Sequence, residues 1–383
     1  MSNPGFSKGL EGVVAAESTI CKVDGENGRL YYLGYSIRDL VEHCTFEEVT
    51  FLLLYGQLPN EEQLEDFSSA MRGKRKLEDP VKKMITDFPR DSHPMEMLQA
   101  VVPYLAAYSG PEGCRDTEFD CLYAEHLIPQ LASAVAAWHR VQQGLPIVDP
   151  DRSLSHGANF LYMLNGEKPS ELAGRIMDGC LILHAEHGLN ASTFTARVVA
   201  STLSTCYSAI AAAVGALYGP LHGGANEKVM DMVDEIEADA SLSPGEWVSK
   251  ALSEKRKVMG MGHRVYRAKD PRAIIIEGYL EDLGKQQGDT SYYDMLKEVE
   301  RVFRERMEEK GKPIYPNVDF FSGALYRMLG VPTILFTPIF ALSRASGWLS
   351  HIIEQRHDNR LYRPSSIYVG EIDRPFVPMS ERE

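Results

Sequence analysis

The stretch from Val198 to Asn226, VVASTLSTCYSAIAAAVGALYGPLHGGAN, carries no charged side chain and lies between Arg197 and Glu227. A run this long raises the question of a membrane crossing. Ser201, Thr202, Ser204, Thr205, Ser208, Gly215, Gly219 and Pro220 answer it, because hydroxyls, glycines and a proline interrupt the apolar character. The composition fits two small-residue helices packed inside a protein core, and so predicts a helical fold built around buried helices rather than a membrane protein.

Helix signals continue on both sides. Thr45 and Glu48 form a capping box ahead of Phe46 to Tyr55, and Gly56 stops that helix. Asn60 can cap the next segment, and Ser170 starts an apolar-periodic helix through His184. Thr117 to Gln143 is helical in composition, but Pro129 should kink it or split it in two. Tyr292 to Lys310 is amphipathic, with Met295, Val299, Val302 and Phe303 on one face.

Two parts are not helical. Thr19 to Tyr35 is β-branched or aromatic around Asp24-Gly25-Glu26-Asn27-Gly28, which reads as a short hairpin. The tail from Leu361 to Met379 holds Pro364, Pro375 and Pro378 and reads as an extended arm, crossing onto a second subunit or lying on the surface. No repeat at solenoid periods appears, which disfavours a helical-repeat scaffold.

The 383 residues, 44% hydrophobic and 25% charged, suit an ordinary globular protein. A net charge of −14 with no local basic face argues against nucleic-acid binding. Cys21, Cys44, Cys114, Cys121, Cys180 and Cys206 have no Cys-x-x-Cys pair or metal spacing, so they read as reduced thiols in a cytoplasmic protein. The N-terminus shows neither a secretory signal nor a transit peptide.

Four segments concentrate His, Arg, Asp and Gly beyond what packing requires: HAEHGLNAS from His184 to Ser192, GPLHGGAN from Gly219 to Asn226, GMGH from Gly260 to His263 continuing to Asp270-Pro271-Arg272, and PNVDFFSG from Pro316 to Gly323. His184 and His187, at i and i+3, could face a metal, but no third ligand stands at a zinc spacing and HExxH is absent. His222 sits among glycines and a proline, offered from a turn entering a helix, either with a task or as a plain turn residue. Gly260-Met261-Gly262 lacks the strand and the Gly-Lys-Ser/Thr of nucleotide loops, although its backbone donors can cradle an anion. Asp319 stands near a helix N-terminus, as a cap or as a base. Arg272, Arg344, Arg356, Arg360 and Arg363 have the planar fork that suits a dicarboxylate.

Together these segments closely resemble the citrate synthase family, from Gly9-Leu10-Glu11-Gly12 to Val369-Gly370-Glu371. The resemblance implies an all-α fold and a homodimer, with a large helical domain (1–222 and 331–383) and a small mobile one (223–330) closing over the substrates. It implies condensation of acetyl-CoA with oxaloacetate, then hydrolysis of citryl-CoA, with acetyl-CoA a substrate and no cofactor or metal. His222 would steady the enol or enolate, His263 would polarise the ketone, and Asp319 would take the methyl proton. Oxaloacetate would meet His187, Arg272, Arg344 and Arg363, the last reaching over from the other subunit. Val258, Met259, Gly260, Met261 and Gly262 would receive the adenine end of coenzyme A, and Arg267, Lys310 and Lys312 its phosphates. The chain departs from many relatives at Gly188, where they carry Glu. Its start is expected to leave no room for the N-terminal domain of NADH-inhibited relatives. The alternatives are a 2-methylcitrate synthase using propionyl-CoA and a catalytically silent ligand-binding paralogue.

Overall fold

The computed structural model describes residues 6–108 and 121–382. Helices dominate it. The uncharged stretch folds as expected into parts of two helices, Ala191–Ser201 and Cys206–Tyr218, capped by Asn190 and Thr205, and the two pack closely on each other. A side chain at Gly215 would collide with Gln99 of the helix Pro94–Ala106, so glycine there lets that helix approach Cys206–Tyr218 closely. None of the described helices is long and apolar enough to cross a membrane.

The expected caps form. The Thr45–Glu48 box opens Phe46–Tyr55, and Gly56 closes it in a left-handed conformation at φ 80°. Asn60 and Gln63 form a second box before Glu61–Gly73, and Ser170 caps Glu171–Ala185. The hairpin pairs Cys21–Asp24 with Arg29–Tyr32 antiparallel, and Tyr35–Ser36 adds a third short strand. Pro129 does not split its segment. The helix runs unbroken from Cys121 to Gln142, with Leu127, Ile128, Leu131 and Trp138 buried along it, and this packing carries the helix past one missing hydrogen bond. The expected start at Thr117 lies outside the described residues.

One helix organises the rest. From Phe336 to Ile352 every side chain of Phe336–His357 is buried except the half-buried Phe340. A helix buried all round must satisfy its own polar groups. Ser343 donates to the Leu181 carbonyl, Ser346 to the Ser343 carbonyl at 2.8 Å, and Ser350 to the Leu53 carbonyl at 2.5 Å. Trp348 is fully buried, worth about 3–5 kcal/mol against truncation to alanine.

A second group, Ala225–Ala238, Pro244–Ser253, Pro271–Gln287, Ser291–Glu308 and Asp319–Met328, packs mainly on itself. Within Ser291–Glu308 the buried stripe is Leu296, Val299, Phe303 and Met307, with Met295 and Val302 beside it. This group meets the rest through Glu171–Ala185, Ile37–His43 and Phe336–His357. After His357 the chain has no regular structure until Met379, and most of it is exposed. Leu361, Ile367, Tyr368, Val369, Ile372, Phe376 and Met379 all face solvent.

Candidate active site

The four motif segments meet where the two helix groups face each other. His222 is presented by the turn between Cys206–Tyr218 and Ala225–Ala238, where its N–H donates to the Gly219 carbonyl at 2.9 Å. A side chain at Gly223 would collide with the Leu217 carbonyl and with Thr337 Cγ2, so this turn needs glycine for space. The imidazole Nε2 accepts the Ser192 N–H at 3.3 Å and lies 2.9 Å from Ser192 Oγ. A backbone N–H can only donate, so the ring proton is on Nδ1. Burial, with the Arg344 charge, pushes His222 down to about 4.

His263 has the opposite tautomer. Its Nδ1 accepts the N–H groups of Val265 and Tyr266 at 3.0 and 3.1 Å, which leaves Nε2–H as the donor. Burial and the Arg272 charge push it down to about 4. Near neutral pH both rings are therefore uncharged and each offers one N–H.

His187 stands beside His263, with ring centroids 5.5 Å apart. Its Nε2 lies 3.2 Å from the hydroxyl of Tyr266, a residue whose ring also contacts His263. Burial, then Arg272 and Arg344, hold His187 well below the usual imidazole value. Gly188 adopts φ 66°, a left-handed conformation natural to glycine.

Asp319 opens the helix Asp319–Met328 but does not cap it. Its N–H donates to Asn317 Oδ1 at 2.9 Å, and its carboxylate receives no hydrogen bond from any described residue. Burial pushes the carboxyl up to about 6, against the pull of Arg272. The capping alternative fails and an unengaged carboxylate remains.

Arg272 is buried and forked onto Asp270, Nε to Oδ1 at 3.0 Å and Nη2 to Oδ2 at 2.8 Å. Its charge reaches His187, His263 and Asp319 alike. Arg344 is also buried. Its Nε donates to the His184 carbonyl at 2.7 Å and its guanidinium lies over Phe340, yet its Nη2 is buried with no partner among the described residues. A buried guanidinium N–H without a partner can donate to an anion. Arg363 is exposed on the arm, and within one chain the structure does not bring it to these groups.

Gly260 and Gly262 take φ 73° and 91° in the loop that includes Val258, Met259 and Met261. A side chain at Gly260 would run into the Phe320 backbone. The loop is tied to the strand-like segment before Asp319: Met261 bridges Pro316, Gly262 N–H donates to the Tyr315 carbonyl at 2.8 Å, and Asn317 N–H donates to the Gly260 carbonyl at 2.9 Å. Arg267, Lys310 and Lys312 are exposed and make no ion pair among the described residues.

His184 does not join His187 as a ligand pair. It is buried, its Nδ1 bonded to the Cys180 carbonyl at 2.8 Å, and burial pushes it down to about 3. No cluster of three or more metal-ligating side chains occurs among the described residues. Ser192, Tyr266, Asn317 and Trp348, which donates to Ser192 Oγ at 3.2 Å, complete the arrangement without having been singled out from sequence.

The arrangement offers two neutral N–H donors, one free carboxylate and two buried guanidinium groups, which suits proton abstraction next to a carbonyl on anionic substrates. A family model described as "Citrate synthase, C-terminal domain" matches residues 9–365. The citrate synthase of Haloferax volcanii is 45% identical over 98% of this chain and 99% of its own. A 2-methylcitrate synthase of Corynebacterium glutamicum is 40% identical over the full length of both. Among solved structures, the citrate synthase of Thermoplasma acidophilum in a ternary complex with carboxymethyl coenzyme A and oxaloacetate superposes with a TM-score of 0.89, at 35% identity over 98% of this chain and 99% of that one. With an all-helical fold shared over nearly its whole length, the chain belongs to the citrate synthase family.

Proposed function

We propose that the chain condenses acetyl-CoA with oxaloacetate and water to give citrate and CoA, an acyl transfer in which the acyl group becomes alkyl. The observation that carries this reading is the pair of neutral imidazoles of opposite tautomer beside an unbonded carboxylate held near 6. Asp319 takes a proton from the thioester methyl, and the Nδ1–H of His222 steadies the oxygen of the resulting enol or enolate. The methyl carbon bonds to the ketone carbon of oxaloacetate as the C=O π pair moves onto oxygen, which is polarised by the Nε2–H of His263 and takes up a proton to become the citrate hydroxyl. Water then cleaves the thioester of citryl-CoA and releases the thiol. A carboxyl near 6 matches a weak carbon acid better than one near 4, and desolvation strengthens both imidazole hydrogen bonds.

His187, Arg272 and Arg344 bind the oxaloacetate carboxylates in this reading, and the unpartnered Nη2 of Arg344 supports it. Arg363 of a second copy completes the site of a homodimer, in keeping with the exposed apolar arm that carries it. The loop 258–262 takes the adenine end of CoA, with Arg267, Lys310 and Lys312 near its phosphates. Residues 223–330 form the small domain that closes on the large one, in keeping with the self-packing of helices 225–328. Side chains supply every acid, base and anion-binding group, so the reaction calls for no cofactor. The free Cys21, Cys44, Cys180 and Cys206 suit the cytoplasm.

Thiol release measured with acetyl-CoA and with propionyl-CoA, each with oxaloacetate, tests the function. Higher kcat/KM with acetyl-CoA is the expected result. Preference for propionyl-CoA would make the chain a 2-methylcitrate synthase, and no release with either would make it a silent paralogue.

A further inference from the structure

Glu186 precedes His187 and is fully buried. Its Oε1 accepts the Gly188 N–H and lies 3.1 Å from Nε2 of His351, also buried. On the far side of that ring, Nδ1 faces Arg197 Nη1 at 3.0 Å. A guanidinium holds only donors, so Nδ1 accepts and the ring proton sits on Nε2, aimed at Glu186. Arg197 is itself fixed, with Nε on Gln355 Oε1 at 3.1 Å and Nη1 on Glu354 Oε2 at 2.7 Å. Glu354 is in turn held by the Thr19 N–H at 2.8 Å. Gly347 makes room, since a side chain there would collide with Glu186 Oε2 and the Ala185 carbonyl.

These contacts converge on a weak point of the backbone. Glycine visits positive and negative φ with similar ease, so the peptide after His187 has no conformation of its own to hold. Acceptance of the Gly188 N–H by Glu186 selects one, together with donation of the Asn190 N–H to the Gly188 carbonyl at 2.9 Å. The other end of His187, its ring, is met by Tyr266. We infer that Glu186, oriented by His351 and Arg197, is a positioning residue that fixes His187 for oxaloacetate; the inference rests on the reading of His187 as an oxaloacetate-binding group.

Calorimetric titration of oxaloacetate into the full-length protein tests it, alongside the KM for acetyl-CoA. Glu186→Leu and His351→Phe should each weaken oxaloacetate binding by about tenfold or more, within the roughly hundredfold that an ångström of misplacement can cost. The KM for acetyl-CoA should move less than about threefold, a split that general loosening would not produce. Glu186→Gln, which keeps an oxygen for both N–H donors, should stay within about threefold of wild type. His351→Phe keeps the ring volume and decides alone if Glu186→Leu does not fold. Folded variants that bind oxaloacetate like wild type overturn the inference. So does a Gln variant as weak as the Leu variant, or a parallel loss for both substrates. Wild-type protein that binds no oxaloacetate removes the functional reading along with it, which is a distinct result.

Discussion

Asn317 donates through Nδ2 to the Gly262 carbonyl at 2.8 Å. Its other side-chain atom, Oδ1, accepts the Asp319 N–H at 2.9 Å. One amide thus ties the residue before His263 to the residue proposed as the base. Two loops far apart in sequence hold their reacting groups in a common frame.

Asn317→Ala should therefore cost about 1–2 kcal/mol of stability for two lost hydrogen bonds. It should also lower kcat/KM by roughly tenfold through misplacement of Asp319 and His263. Denaturant unfolding and steady-state rates check both. Unchanged rates in a destabilised variant would reduce the residue to a structural tie.

Asp319→Asn should lower turnover by at least about a hundredfold while oxaloacetate still binds. The folded pKa of Asp319, about 6, lies above the ordinary carboxylate value of 3.8. Its contribution to stability is then fully present below about pH 4 and lost as pH rises through about 6. The Asn variant should accordingly gain Tm over wild type at about pH 8 and not at about pH 4. Thermal scans at the two pH values, with turnover assays, test the pair of effects.

The acid limb of kcat/KM for acetyl-CoA should fall near pH 6, where Asp319 takes up its proton. His222 and His263, pushed down to about 4, stay neutral through that window. The limb should have a slope of about one, for a single proton. A slope near two would mean that a histidine titrates with the carboxyl and would contradict the assignment of neutral imidazoles.

Ser192→Ala removes the hydroxyl that meets His222 and receives the Trp348 N–H. The Ser192 backbone N–H remains, so His222 keeps its tautomer. The expected loss in kcat is about tenfold, below the hundredfold or more for a group that meets the reacting oxygen itself. Stability should fall by about 1–3 kcal/mol for the unpaired indole N–H. Single-turnover rates and Tm measure the two.

A hybrid dimer tests whether Arg363 acts across subunits. One subunit carries Asp319→Asn and the other Arg363→Ala, each inactive as its own homodimer. With crossing arms, one site of the hybrid collects both defects and the other none. Equal random mixing makes half of the dimers hybrids, so activity should recover to roughly a quarter of wild type. Hybrids verified by mass spectrometry that stay as inactive as the parents would eliminate the shared site.

Local signals are legible in the sequence where the physics is local. Thr45, Asn60 and Ser170 cap within three residues of themselves, and Gly219 to Gly224 forces a turn under His222. Pro129 does not split its helix because its penalty is local while the burial that outweighs it comes from other helices. The partners of the site were invisible for the same reason. Trp348 meets Ser192 across 156 residues, and His351 meets Glu186 across 165. Taken alone, Asp319 reads as a cap rather than a base, since only the folded chain shows that Asn317 accepts its N–H.

The arm after His357 bears on how the protein withstands dilution. Eight large apolar side chains, from Leu361 to Met379, stand in water on a segment without regular structure before Met379. Arms exchanged between two copies make folding and association a single equilibrium, so the melting temperature would depend on protein concentration. Each tenfold dilution would then remove about 1.4 kcal/mol per dimer from the free energy that keeps the native form intact. A curve that does not move with concentration would instead belong to a chain that folds alone and keeps its arm wet.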